Sequence, residues 1–592
     1  MTRRHPKKIV LNSGIAKTQS LMITAIVIIA VIALLIYFFY PSLTPVPEEK
    51  RLYRMTLAFP TQIDPAVAGD ASSMTACSNL YDRLVYQGHN EELIPSAATG
   101  WEVTPDELDW TFNLRNGIMF HDGTEMKAED VVFSMERLLE IGEGAAYIYE
   151  PYIESVSVVD DYTVEFALKK PFGPFVGALS KFFIVNKDLL LEHVETPGPY
   201  GDQGDYGKDW LLYNDAGSGA YKVKEFLREE VLKMELYEDY WDVVHPNAPE
   251  EIHQIGTTEP IQVRAMINDR ELEMTDKYQT DEALEVLDGI EGVDLYVHPS
   301  GPITYSITLN TQKPPLDDIY VRKAMFYAFD YEALKGAFNQ YWGAYGDFMA
   351  TNIVTSTLPG AHPNFTVPFQ RNLTRAMEEL EKSPYYGQLD DYVVEHHWVS
   401  EVPAREKISL LFASSMADIG ITVQSVRTPW LTMVEEYESS DTHAFSIGFF
   451  LDYYEALSEL KMRYHSDTAS TFFQNAWLLN ETIDTMIDEA EATSDQTDRF
   501  EKSYDIQEQV MNMYAEIPLV EWVFKQGYQS YYLNLTEVTK IPLFYDVFAF
   551  CRLIEVYPEK RSELIEGSNS LMIITPQTTL LAIPKKYIGK SI

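Results

Sequence analysis

The segment Trp110 to Arg137, WTFNLRNGIMFHDGTEMKAEDVVFSMER, constrains the fold most, because it sets a strand, a turn and a helix in fixed order. Trp110, Phe112 and Leu114 alternate with Thr111, Asn113 and Arg115, the period of a half-buried strand. His121-Asp122-Gly123 supplies turn chemistry, with Gly123 free to take a positive φ. Val132, Met135, Leu138 and Leu139 then fall on one face of a helix. These residues are not chemically reactive as a set.

Further stretches follow in order between Leu52 and Leu553. IDPAVAGDASSMTACSNLYDRLVY (Ile63 to Tyr86) reads as a strand and helix, and VVDDYTVEFALKKP (Val158 to Pro171) as a strand. NDAGSGAYKVKEF (Asn214 to Phe226) is a glycine turn, and LYEDYWDVVHPNAPEEI (Leu236 to Ile252) leads on to LNTQKPPLDDIYVRKAMFYAFDYEAL (Leu309 to Leu334). SIGFFLDYYEALSELKMRYHSD (Ser446 to Asp467) and a helix from Glu481 to Met511 complete the series. In wording and order these stretches resemble the family 5 extracellular solute-binding proteins of ABC transporters, the oligopeptide-binding type. The chain departs from the family's Gly-Thr-Gly-Pro-Tyr turn at Ser218 and Ala220.

The N-terminus carries Arg3, Arg4, Lys7, Lys8 and Lys17 and no acid ahead of an uninterrupted apolar run, 21–40. Twenty residues at helical rise give about 30 Å, the thickness of a bilayer's hydrocarbon core. The run therefore predicts a transmembrane signal anchor, with the basic segment 1–20 cytoplasmic and the main domain extracellular. No cysteine follows it, which excludes a bacterial lipoprotein anchor, while a prepilin-type cut near Lys17-Thr18 is the other reading. Hydrophobic residues at 46% are ample for a large core, and a net charge of −44 argues against nucleic acid and acidic lipid as partners. Four sequons stand at Asn364, Asn372, Asn480 and Asn534.

The resemblance implies an α/β, two-lobed, periplasmic-binding-protein-like class II fold with an extra subdomain inserted in lobe one. A linker at 41–50 precedes lobe one, which is built from 51–90, 211–299 and a return at 524–554. The inserted subdomain is 91–210, lobe two is 300–523, and 555–592 is a C-terminal tail outside the resemblance. Two crossings between lobes imply a hinge that closes on ligand. Cys77 and Cys551 fall in the same lobe, where a disulfide is allowed outside the cell.

The ligand site implied by the resemblance centres on Asp452, in Gly448-Phe449-Phe450-Leu451-Asp452-Tyr453. In peptide-binding relatives this aspartate receives the ligand's α-ammonium, a charge pair that strengthens when closed lobes exclude water. Trp430, Phe449, Tyr453 and Tyr437 are the expected aromatic contacts. Gly69, Ala71 and Ser72 would let lobe-one backbone pair with the ligand as an added strand, or form a helix start capped by Asp70 or Ser72. Tyr147 and Tyr149 are candidate rim residues.

Two positions where oligopeptide binders place arginines for a peptide carboxylate are here Tyr437 and Ser446. Longer peptides, or neutral oligosaccharides stacked on aromatic rings, would not need them, so both ligand classes stay open. The expected partners are therefore an oligopeptide or oligosaccharide and permease and ATPase subunits on separate chains, with no cofactor. No Gly-x-Ser-x-Gly elbow, His-Glu-x-x-His helix or Walker loop occurs. Glu395-His396-His397 lies in an alternating stretch that sends the two histidines to opposite faces, so no metal or catalytic residue is assigned. A membrane-anchored hydrolase, using two of the many acids, is the alternative from another class.

Overall fold

The computed structural model describes residues 49–57, 60–87, 92–297, 303–338, 348–349, 352–364, 370–402, 404–448, 451–471, 473–522, 524–538 and 547–573. The expected basic segment, the run 21–40 and most of the linker lie outside the described residues, as does Phe449. Among the described residues no helix is long and apolar enough to cross a membrane.

Lobe one rests on a four-stranded sheet in the order Leu52–Leu57, Glu251–Gly256, Val231–Leu236, Tyr221–Leu227, the first pair parallel and the others antiparallel. Tyr53, Met55 and Leu57 alternate into the core as the strand period requires. The helix Ala71–Leu80 follows the first strand, with Asp70 capping it by accepting the N–H groups of Ser72 and Ser73 at 3.0 Å.

The turn Asp215 to Ala220 lies flat against the end of that helix, and Gly219 donates its N–H to the Leu80 carbonyl at 2.9 Å. A Cβ on Gly217 would overlap the Leu80 carbonyl oxygen, and one on Gly219 the Asn79 carbonyl oxygen. Both positions require glycine for space. Gly217→Ala is expected to cost about 1–3 kcal/mol, the range for overpacking a close contact, seen as a lowered urea midpoint; an unchanged midpoint would show that the turn can move aside. His121 of the signature turn meets this second turn, its Nδ1 bonded to the Asp215 carboxylate and its Nε2 2.9 Å from the Gly219 carbonyl. Burial opposes charge on the imidazole, but Asp215 outweighs it and holds the His121 pKa above its ordinary value.

The inserted subdomain carries an antiparallel sheet in the order Ala98–Val103, Asp109–Leu114, Thr163–Leu168, Ile153–Asp160. The predicted strand and helix appear as Asp109–Leu114 and Ala128–Ile141, with Gly123 at φ +88° in the turn and Gly142 at φ 69° ending the helix. Met135 and Leu138 are buried, and Val132 and Leu139 half-buried. Arg137 ties this helix to lobe one. Its guanidinium meets both oxygens of Asp64 at 2.7 and 2.6 Å, and its Nε donates to the Tyr206 carbonyl at 2.9 Å.

Lobe two contains a six-stranded sheet in the order Phe348–Met349, Glu516–Trp522, Ile303–Leu309, Ala444–Ile447, Val393–Val399, Thr422–Thr428. Its core gathers Tyr305, Ile307, Phe326 and Phe412. His396 and His397 do point to opposite faces. His396 is fully buried between Ser409 and Ser446 at 2.8 and 2.6 Å, and His397 meets Glu436 at 2.6 Å.

The lobes are joined by two neighbouring crossings. Asp294–Val297 pairs with Lys525–Tyr528 on the lobe-one side, and Ile303–Leu309 pairs with Glu516–Trp522 on the lobe-two side. The helices Ala456–Tyr464 and Glu481–Glu491, within 300–523, pack into the same continuous core as the inserted subdomain. Past the return, the Cys551 N–H donates to Asn79 Oδ1 at 3.2 Å, which brings that segment against the helix Ala71–Leu80. The disulfide that the resemblance allowed is not formed: Cys77 and Cys551 are both buried free thiols. At the start of the C-terminal tail, Glu555–Val556 pairs with Leu533–Asn534 before the helix Pro558–Ile573.

Candidate functional site

A cavity of about 820 Å³ lies between lobe two on one side and lobe one with its inserted subdomain on the other. Lobe one contributes Gly69 to Ser72, Arg228 and Tyr278; the inserted subdomain contributes Tyr147 and Lys181; lobe two contributes Tyr305, Glu401, Arg405, Trp430, Asp452 and Phe473. Each wall is placed by an element end. Trp430 opens the helix Trp430–Glu438, and its backbone N–H donates to Glu401 at 3.1 and 3.2 Å. Asp452 follows the strand Ala444–Ile447, and its own backbone N–H donates to Ser458 Oγ at 2.9 Å.

Asp452 is 7% exposed. Its Oδ1 accepts the Tyr147 hydroxyl at 2.5 Å, a bond from the inserted subdomain across to lobe two, while Oδ2 has no hydrogen-bond partner among the described residues. Burial pushes the carboxyl up to about 6, although Lys181 and the Tyr147 hydroxyl both pull the other way. Lys181 is held below its ordinary value by the same burial, partly offset by Asp452. Behind this pair the Tyr152 hydroxyl donates to Glu491, and the Gly173 N–H donates to the Glu491 carbonyl at 2.8 Å, so the inserted subdomain and lobe two meet through polar bonds within an apolar contact.

The structure brings together Asp452, Trp430, Gly69, Ala71 and Ser72 on the cavity wall. It corrects three expectations. Tyr437 is fully buried, its hydroxyl 2.8 Å from Met433 Sδ and its ring against Phe445, because Met433 and Tyr437 share the inner face of their helix. Tyr453 turns away from the cavity toward Phe172, with its hydroxyl 3.4 Å from Glu491. Of the two readings of Gly69 to Ser72, the helix start capped by Asp70 is the one observed, with the Ser72 N–H committed to that cap. Tyr149 also leaves the rim, being buried with its hydroxyl on the Ala178 carbonyl at 2.8 Å. Sequence reasoning missed Lys181, Arg405, Tyr278 and Phe473, whose neighbours in sequence carry no local signal; Tyr147 was legible only as a rim candidate.

A cleft between two lobes, entered by two adjacent strands and walled by aromatic rings around a buried carboxylate, defines a solute-binding protein of the periplasmic-binding class. The chain belongs to the family 5 extracellular solute-binding proteins of ABC transporters: the profile of bacterial extracellular solute-binding proteins, family 5 Middle, matches residues 92–471. It is 26% identical over 480 residues to the probable D,D-dipeptide-binding periplasmic protein DdpA of Escherichia coli K12, covering 80% of this chain and 88% of that one. The ABC transporter-associated periplasmic binding protein DppA of Helicobacter pylori, solved with the peptide STSA, is similar at a TM-score of 0.73 and 20% identity, covering 85% of this chain and 98% of that one. The binding protein AgaA of A. tumefaciens R10, solved with agropinic acid, gives a TM-score of 0.73 at 19% identity, covering 86% and 99%.

Proposed function

We propose that the protein captures oligopeptides between its lobes and delivers the closed complex to an ABC permease, whose ATPase lies on separate chains. The observation that carries this reading is Asp452, a buried carboxylate on the wall of an aromatic cavity with one oxygen held by Tyr147 and the other without a hydrogen bond among the described residues. Such an oxygen suits a peptide's α-ammonium. Names among the relatives agree, a D,D-dipeptide for DdpA and STSA for the Helicobacter protein. The domain works outside the cell, and the run 21–40 is the segment that would hold it at the membrane. An oligosaccharide is the second reading, favoured by Trp430, Tyr278 and Phe473 in the wall.

Native mass spectrometry of residues 45–592, purified gently and compared before and after mild unfolding, tests this reading. A set of mass shifts matching short peptides is expected. Hexose-spaced shifts after incubation with oligosaccharides, with none from peptides, would move the protein to the sugar reading. Trp430→Ala is expected to weaken either ligand about three- to tenfold, the worth of one aromatic contact; unaltered affinity by calorimetry would reduce Trp430 to packing for Val399, Met433 and Phe445.

A further inference from the structure

Three of the four sequons, those at Asn372, Asn480 and Asn534, lie wholly within the described residues, and the folded chain presents them in two different ways. Asn372 caps the helix Leu373–Leu380 by accepting the Arg375 N–H at 2.9 Å. Asn480 caps Glu481–Glu491 by accepting the N–H groups of Thr482 and Ile483 at 3.0 and 3.2 Å. In both the capping atom is Oδ1, and Nδ2 makes no hydrogen bond among the described residues. Thr374 and Thr482, two residues on, are exposed, and their hydroxyls make no hydrogen bond among the described residues either. Asn534 is the contrast. Its Nδ2 donates to Glu555 Oε1 at 2.7 Å, its Oδ1 accepts the Thr536 hydroxyl at 2.6 Å, and its backbone is paired with Glu555. Leu535, the middle residue of that sequon, is buried.

Transfer of an oligosaccharide to asparagine uses two groups of this motif: the amide nitrogen, which takes the sugar, and the hydroxyl two residues on, by which the motif is read. Both are free at Asn372 and Asn480, and both are committed at Asn534. The middle residues Leu373 and Glu481 are exposed, and neither is proline. Transfer replaces one of the two Nδ2 hydrogens and leaves Oδ1 an acceptor, so each helix keeps its cap. We propose that Asn372 and Asn480 are acceptor sites for an N-linked oligosaccharide. The donor class is an oligosaccharide carried on a polyprenyl phosphate or pyrophosphate. The Nδ2–C1 bond forms, the C1–O bond to phosphate breaks with its electron pair going to the lipid phosphate, and Nδ2 gives up one proton. Neither asparagine borders the cleft, so the sugar is carried clear of the cavity wall. The assignment rests on the reading of this domain as one that works outside the cell.

Full-length protein is tested in two arms: purified and folded from cells without an oligosaccharyltransferase, then mixed with that enzyme and its lipid-linked oligosaccharide; and expressed in cells whose oligosaccharyltransferase faces outward. Glycopeptide mass spectrometry counts occupancy at each asparagine. In the purified arm Asn372 and Asn480 are each expected to be occupied at least tenfold more than Asn534. Thr374→Ala, which leaves the Asn372 cap in place, is expected to lower occupancy at Asn372 at least tenfold, and Thr374→Ser to keep most of it, with Asn480 unchanged in both. Bare asparagine at both positions in the purified arm, or Asn534 occupied as readily, would overturn the assignment. Both sites occupied in the purified arm but bare in the cells would end the extracellular reading and leave the assignment standing.

Discussion

Arg137→Met is expected to destabilise the protein by about 3–5 kcal/mol, because it strands Asp64 as an uncompensated charge in the interior. Both side chains are almost wholly buried, at 1% and 2% exposure, and the pair is bidentate. Asp64 keeps one backbone bond, from the Ala66 N–H at 3.0 Å, which is too little to replace a guanidinium. Urea unfolding followed by tryptophan fluorescence measures the loss. The double variant Arg137→Met with Asp64→Asn is expected to recover part of it, since removing both charges also removes their desolvation penalty. A single-variant loss below about 1 kcal/mol, the size of an exposed pair, would mean that water reaches Asp64. Arg137 sits on the inserted subdomain and Asp64 precedes the segment Gly69 to Ser72 on the cavity wall. Ligand affinity in Arg137→Met is therefore expected to fall along with stability.

Asp452→Ala is expected to lower affinity for a free-amine peptide at least tenfold at pH 7 with the fold intact, and the pH dependence separates charge recognition from packing. With the carboxyl pushed up to about 6 by burial, the ionised fraction falls roughly tenfold between pH 7 and pH 5. Binding of an ammonium, which stays charged throughout, should weaken by about the same factor. Stability moves the opposite way. A folded-state pKa raised above the unfolded one gives a stabilising contribution that is fully present below about pH 4 and is lost as pH rises through about 6. Asp130 and Asp276 are pushed up into the same range, so the quantity to measure is wild type minus Asp452→Asn. In Asp452→Asn both pH trends attributable to this position should vanish, while the amide oxygen still accepts the Tyr147 hydroxyl. Peptide affinity that is flat from pH 7 to pH 5 in wild type would remove the ammonium pairing.

Most of the scaffold was legible because its signals are local. The alternation at Trp110 to Leu114, the turn at Gly123 and the apolar face at Met135 and Leu138 each depend on residues within a turn or two of one another. What the sequence did not display is why the separate stretches occur together. His121 and the Asp215 to Gly219 turn are distant in the chain and meet only in the fold, as do Arg137 and Asp64. The site was half legible for the same reason. Asp452 and Trp430 followed from resemblance and face the cavity, whereas Tyr437 was misplaced because helical spacing put it behind Met433, on the side of the helix that packs inward. Lys181 ends a short 3-10 turn and Arg405 begins a helix, positions where a basic residue is commonplace. Their meaning comes from the cavity they border.

The paired crossings have an architectural consequence. Lobe two begins with Ile303–Leu309 and ends with Glu516–Trp522, and these strands are hydrogen-bonded neighbours, so its two ends stand about one strand spacing, roughly 4.8 Å, apart. In the sequence lobe two is a long central stretch, but as a path through space it is a closed excursion that leaves lobe one and re-enters beside its point of departure. Material can be added to or exchanged within such an excursion without asking lobe one to change its connections. The half of the cleft that carries Trp430 and Asp452 thus joins lobe one through a single pair of strands, and what else holds it there is not connection but packing, the core that its helices Ala456–Tyr464 and Glu481–Glu491 share with the inserted subdomain.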